Sequence, residues 1–221
     1  MKVKIVFFDC DGILLFGNPW GKLAKATGIS EKLDLKWYLD YYSNKLPFDK
    51  WNKNIEDYYK KAGLNRKKFE EIVDLKNYTI NKEGKKLVEY IKSRDIEIAI
   101  ISSGTGEYVS KVARHFSIKY WRANITMVFD KNDNFVRFQC VDEDPKAKVV
   151  EIKSICKLLN ISPQDSLFIG DAYNDMDAFR FTKRGILYKI KDEKLERLAF
   201  KKIDNLLEII DIIEDIDGKY K

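Results

Sequence analysis

The feature that most restricts the fold is an apolar run that stops on two carboxylates: Ile5-Val6-Phe7-Phe8, then Asp9-Cys10-Asp11-Gly12. Such a run predicts a strand buried on both faces, the centre of a parallel sheet. That strand delivers its last residues to the carboxyl edge of the sheet, where open α/β folds bind ligands. Two acidic groups buried there need a cation or hydrogen bonds to compensate them. A hard dication with oxygen ligands meets that need. A solvated turn closed by Gly12 also fits, and this stretch alone leaves both readings open. Cys10 lies between the aspartates, so it points to the opposite face of the strand and reads as packing.

A chain of 221 residues, 45% hydrophobic and 34% charged, is long enough for one domain with a smaller insert. The net charge of +6 is spread over lysines that sit beside nearly as many acids. It suits a solvated surface with mild steering of an anionic substrate and is too weak to argue for nucleic acid. Three cysteines, Cys10, Cys140 and Cys156, show no C-x-x-C spacing, which points to a reducing compartment and no structural zinc. No signal peptide or membrane span is visible in the pattern. The expectation is a soluble cytoplasmic protein, a monomer or homodimer, with no nucleic-acid or membrane partner. The single histidine, His115, reads as packing or surface and excludes mechanisms that need several.

Residues 20 to 78 predict helices with short polar breaks. Ser30 and Asn65 are placed to cap two of them, Pro47 to start another. This stretch reads as a small helical unit, and its aromatics (Trp20, Trp37, Tyr41, Tyr42, Phe48, Trp51 and Tyr58) as the core of that unit or the wall of a pocket. From Asn81 the pattern alternates: a helix over 82–93, a strand over 97–102, a tight turn at Ser103-Gly104-Thr105-Gly106 and a helix over 107–116. A hairpin joins short strands near 125–129 and 135–138. Asp144-Pro145 predicts an N-cap with proline at the first helical position, opening a helix to Leu159 that buries Val149, Ile152, Cys156 and Leu159. A strand over 166–170, a helix over 174–181, a strand over 186–190 and helices over 193–200 and 205–213 complete the chain. This order predicts an α/β fold, a Rossmann-like parallel sheet with helices on both faces.

Three polar clusters fall where such a sheet would gather them. Ser102-Ser103-Gly104-Thr105-Gly106 follows a strand and opens a helix, which suits an anion site at free amides and equally an ordinary turn. Lys148, in the first turn after Pro145, suits a point charge on phosphate oxygens, with Lys146 as its rival. In Gly170-Asp171-Ala172-Tyr173-Asn174-Asp175, Asp171 repeats the geometry of Asp9 on a second strand end. Asp175 starts a helix and can turn back to the same point, or cap it. Two strand-end carboxylates with a third nearby are hard to explain without a metal.

Asp9-Cys10-Asp11-Gly12, Ser102, Lys148 and Gly170-Asp171-Ala172-Tyr173-Asn174-Asp175 resemble the four ordered motifs of the haloacid dehalogenase-like hydrolase superfamily. The interval from Lys148 to Asp171 matches its phosphoserine phosphatase-like branch and favours Lys148 over Lys146. The resemblance implies a catalytic core over 1–16 and 81–221 and a helical cap over 17–80 inserted after the first strand, with hinges at Gly17 and near Tyr78 to Asn81. It implies a phosphatase that hydrolyses a small phosphomonoester through an aspartyl-phosphate. Asp9 would be the nucleophile and Asp11 the general acid, then the base. Ser102, the Ser103 amide and Gly104 would hold phosphoryl oxygens, and Lys148 would offset charge. Mg²⁺ would be held by Asp9, the Asp11 main-chain carbonyl and Asp171, with Asp175 ordering the shell directly or through water.

Two departures bear on the substrate. A cap-entrance glutamate of the phosphoserine phosphatases falls at Asn18, and a cap arginine falls at Lys53. Without the glutamate an ammonium would lose its partner, so the substrate is expected to be a small phosphorylated metabolite of unassigned kind, with Asn18, Lys53 and the cap aromatics as selectors. Two rival readings remain at this stage: a phosphotransferase or phosphomutase of the same fold, and a non-catalytic interaction module.

Overall fold

The computed structural model describes residues 2–144 and 146–218. Strand β1 (Ile5–Phe8) leads into a short strand β2 (Leu15–Phe16) and four helices, α1 (Pro19–Ala26), α2 (Glu31–Tyr42), α3 (Phe48–Lys61) and α4 (Arg66–Ile72). Strand β3 (Thr79–Ile80) returns the chain to α5 (Lys82–Ser93), β4 (Glu97–Thr105), α6 (Gly106–His115), β5 (Tyr120–Phe129) and β6 (Phe135–Cys140). Then come α7 (Lys146–Leu159), β7 (Ser166–Gly170), α8 (Met176–Thr182), β8 (Gly185–Tyr188), α9 (Glu193–Glu196), β9 (Lys201–Ile203) and α10 (Glu208–Gly218).

The main sheet has seven strands in the order β6-β5-β4-β1-β7-β8-β9. All neighbours run parallel except the β5/β6 hairpin. β1 is therefore central, buried along its whole length. Its side chains split by parity. Val6, Phe8 and Cys10 join a core built with α5, α6 and α10. Ile5 and Phe7 join a second core with α7, α8 and α9. Each face carries its own layer of helices, the doubly covered parallel sheet that the four apolar residues predict, and Cys10 packs as its parity requires.

The helical insert follows its local signals. Ser30 accepts a hydrogen bond from the Leu33 amide, and Asn65 from the Lys68 amide, each capping the helix after it. Pro47 precedes α3, and Pro19 opens α1. The insert enters and leaves through an antiparallel pair, Leu15 with Ile80 and Phe16 with Thr79. Asn81 fastens that exit: its side chain donates to the Ile13 carbonyl at 2.8 Å and caps α5 by accepting from the Glu83 amide.

Several boundaries differ from expectation. β4 does not stop at Ser102 but runs to Thr105, because an irregular register between Ser102 and Thr105 keeps it paired with β5. The tight turn expected at 103–106 is therefore strand through Thr105, with Gly106 already opening α6. A 3-10 turn at Tyr173–Asp175 precedes α8, and α9 is a single turn ending at Glu196. The strand β9 falls in the interval between two expected helices, where no strand was expected. In α7 the buried residues are Ala147, Lys148, Ile152, Ile155 and Cys156, with Val149 and Leu159 only half-buried. Pro145, expected at the first helical position, lies outside the described residues.

Candidate active site

The ends of three strands converge on one point. Asp9 follows β1, Ser102 lies in β4 and Asp171 follows β7, and these strands are adjacent at the centre of the sheet. Asp9, Asp171 and Asp175 each offer a carboxylate oxygen within 4.8 Å of one another. Gly12 makes this approach possible: its φ is +78°, and a Cβ there would stand 1.9 Å from Asp171 Oδ2. Any side chain at position 12 would displace the Asp171 carboxylate.

Lys148 is the counter-charge. Its ammonium lies 3.1 Å from Asp9 Oδ1 and 2.5 Å from Asp175 Oδ1, with the side chain 1% exposed. Lys146 instead sits on the surface paired with Glu143, which removes it as the rival. Burial alone would favour a neutral amine at Lys148, but Asp175 and Asp9 outweigh it and hold the pKa above its ordinary value. Asp175 is completely buried. Its second oxygen accepts from the Asp171 and Ala172 amides at 2.9 and 3.0 Å. It thus ties the loop after β7 to the helix that carries Lys148, with both oxygens already engaged.

Burial raises the carboxyl pKa at all three positions nearest the strand ends. Asp9 is pushed well above the ordinary range by burial, against the pull of Lys148. Asp11 is pushed up to about 6 by burial, opposed by a hydrogen bond from Tyr108 and by Lys148. Asp171 is pushed up to about 7 by burial, then by repulsion from Asp175. Three carboxylates facing one lysine leave net negative charge in a low-dielectric site. An all-oxygen donor set with that charge fits a hard dication such as Mg²⁺. The Asp11 side chain is not part of the cluster. It turns to the phenol of Tyr108.

Ser102 is 2% exposed, and its hydroxyl accepts from the Gly104 amide at 2.9 Å. The Ser103 hydroxyl donates to Asp144 at 3.0 Å and accepts from the Asn174 side chain at 2.9 Å. Asn124 donates to the same Asp144 oxygen at 3.0 Å. Asp144, Asn124 and Asn174 therefore fix the strand end that carries Ser103. Asp144 is pushed up to about 6 by burial, moderated by Lys148 and by its two hydrogen-bond donors. None of these three was singled out individually from the sequence, nor was Tyr108. Asp144 was visible only as a helix cap and Asn174 only inside a motif.

The expected selectors in the insert fare differently. Asn18 caps α1, accepting from the Gly21 amide, and is exposed. Lys53 is 73% exposed and faces Asp57 one turn along α3. Both have helix-surface partners rather than contacts with the carboxylate cluster. The insert reaches the site through aromatics instead. Tyr38 stacks on Tyr173 with ring centroids 6.3 Å apart, and its hydroxyl accepts from the Tyr173 amide at 3.4 Å. Tyr42 lies 5.6 Å from the same ring. His115 is exposed, edge-on to Phe116.

Fold and site together define an enzyme core with a carboxylate-rich centre at the carboxyl edge of a Rossmann-like sheet. The chain belongs to the haloacid dehalogenase-like hydrolase family, whose profile matches residues 3–181. It is 24% identical over 180 residues to a phosphoserine phosphatase of Methanocaldococcus jannaschii, covering 81% of this chain and 82% of that one. Its fold is similar to a substrate-bound phosphoserine phosphatase, with a TM-score of 0.81 at 21% identity over 96% of this chain and 99% of the other. A phosphoserine phosphatase solved as a phospho-aspartyl intermediate analogue gives 0.79 at 21% identity, with the same coverage. Among the described residues no helix is long and apolar enough to cross a membrane.

Proposed function

We propose that the protein is a Mg²⁺-dependent phosphatase acting on a small phosphomonoester through an aspartyl-phosphate on Asp9. The observation that carries this reading is the meeting of Asp9, Asp171 and Asp175 within 4.8 Å, with Lys148 3.1 Å from Asp9. Family membership supports it, as does the likeness to proteins named phosphoserine phosphatases. Residues 1–16 and 81–221 would form the catalytic core, with 17–80 as its cap.

Asp9 and Asp171, with the Asp11 main-chain carbonyl, would hold the metal. When bound, Mg²⁺ would lower the repulsion between the carboxylates and an incoming phosphate dianion. Asp175 has both oxygens in use, so its part is to place Lys148 and the 171–172 backbone. Lys148 pulls the Asp9 pKa down against the larger effect of burial, so it favours the ionised carboxylate, the form that attacks phosphorus. Ser102 and the nearby amides of β4 would hold phosphoryl oxygens. Asp11 donates the proton to the leaving oxygen and later takes one from the attacking water. Phosphoryl transfer needs chiefly in-line placement and charge neutralisation, and this set provides both.

The test is phosphate release from p-nitrophenyl phosphate with Mg²⁺. The wild type should turn over, and Asp9→Asn should lose on the order of 10³-fold or more, since no nucleophile replaces the carboxylate. Equal rates for the two proteins remove Asp9 from the chemistry.

A further inference from the structure

Tyr108 is a fully buried phenol in the first turn of α6, and its O–H donates to Asp11 Oδ2 at 2.5 Å. Buried tyrosines ordinarily find some hydrogen-bond partner, so the bond alone says little. Two further features give it meaning. The other oxygen, Asp11 Oδ1, is buried and has no hydrogen-bond partner among the described residues. And the path of the phenol is cleared by Gly104, where a Cβ would stand 1.8 Å from the Tyr108 hydroxyl oxygen and 3.0 Å from Ser102 Oγ. A residue with any side chain at 104 could not coexist with this placement of Tyr108.

We infer that Tyr108 is a positioning residue for Asp11: by occupying Oδ2, it leaves Oδ1 as the oxygen that carries the transferable proton. This rests on the phosphatase reading above. In the first half-reaction an oxygen of the Asp9 carboxylate forms a bond to phosphorus as the ester P–O bond breaks. The electron pair goes to the leaving oxygen, which takes the proton from Asp11 Oδ1. Asp11 becomes a carboxylate, and the Tyr108 O–H bond to Oδ2 strengthens as that charge appears. Tyr108 itself neither gains nor loses a proton. Its contribution grows with the need for acid assistance, because a hydrogen bond to a forming anion matters most where proton transfer is furthest advanced.

The experiment is kcat/KM for a series of substituted phenyl phosphates, from p-nitrophenyl to unsubstituted phenyl, with Mg²⁺. This parameter reports the steps through aspartyl-phosphate formation. The nitrophenolate leaves with little help from a proton, and phenolate needs more. For Tyr108→Phe the expected result is a steeper dependence on leaving-group basicity, with the phenyl to p-nitrophenyl ratio falling on the order of tenfold. Gly104→Ala displaces the phenol while keeping its hydroxyl and should steepen the dependence in the same sense. In an Asp11→Asn background, Tyr108→Phe should change the ratio no further.

A uniform loss across the series, parallel to the wild type, makes Tyr108 a packing residue and overturns the inference. So does an unchanged profile in Tyr108→Phe, or a further change in the Asp11→Asn background. A wild type that hydrolyses none of these esters with Mg²⁺ overturns the reading of the site itself, and this inference with it.

Discussion

At the scale of single residues, two buried charges dominate. Lys148 bridges Asp9 and Asp175 with almost no exposure. Taking it away leaves two buried carboxylates without their cation, so Lys148→Met should cost about 3–5 kcal/mol in urea unfolding of the metal-free protein, beside its loss of activity. Asp144 behaves in the opposite sense. Burial raises its folded-state pKa to about 6, while the unfolded chain keeps the ordinary value near 3.9. The folded state therefore binds the extra proton, and this stabilising term is complete below about pH 4 and lost as pH rises through 6. Asp144→Asn keeps the acceptor oxygen for Ser103 and Asn124 but carries no charge. It should be more stable than the wild type by about 3 kcal/mol at pH 8, with the difference vanishing near pH 4. Paired urea titrations at the two pH values measure this, and a gap that does not change with pH refutes it.

At the scale of elements, the insert is anchored asymmetrically. Toward the β5/β6 hairpin, the Phe135 amide donates to the Leu64 carbonyl at 2.9 Å and the Phe138 amide to Glu56 at 2.7 Å. Tyr59 packs edge-on against Phe135 and Phe138, and Arg66 pairs with Asp133. Toward the loop after β7, among the described residues, the polar contact is a longer hydrogen bond, from the Tyr173 amide to the Tyr38 hydroxyl at 3.4 Å. Glu56→Ala should therefore loosen the hairpin end by about 1–2 kcal/mol. It should be seen as faster hydrogen exchange at the Phe138 amide, with β1 and β4 amides unchanged. None of this anchoring was readable beforehand, because it joins residues about seventy to eighty positions apart. What was readable had a local cause: the apolar run of β1, the caps at Ser30 and Asn65, and the carboxylates at two strand ends. β2 and β3 are two residues each and too short to show a period. β4 runs past Ser102 through Gly104 only because β5 holds it there, and Tyr108 looked like any inward residue of an amphipathic helix. The motif residues Asp9, Lys148, Asp171 and Asp175 come together, whereas Asn18 and Lys53, expected as selectors, sit at exposed positions with partners on their own helices.

At the scale of the whole molecule, a carboxylate cluster that can hold a metal would tie folding to that metal and to pH. Burial raises the Asp171 pKa to about 7 in the metal-free fold, so without metal its share of stability falls as pH rises from about 4 through 7. A dication bound only by the folded state reverses that loss, and it must displace whatever proton the site holds. Mg²⁺ should therefore raise Tm more at pH 8, where Asp171 is already ionised, than at pH 6, where a proton competes at that position. At a hundredfold excess over Kd the linkage amounts to about 2.7 kcal/mol, or roughly 5–10 °C for a chain of this size. Chelation with EDTA should return the curve to its starting point, and Asp171→Asn should remove most of the gain. Asp171→Asn should also raise the metal-free Tm at pH 8, because it deletes a carboxylate whose burial opposes folding there. This pair of opposite shifts, a higher Tm without metal and a smaller response to it, separates a metal-holding residue from one that merely supports the loop. A loop-supporting residue would lower the metal-free Tm when changed and leave the Mg²⁺ response intact.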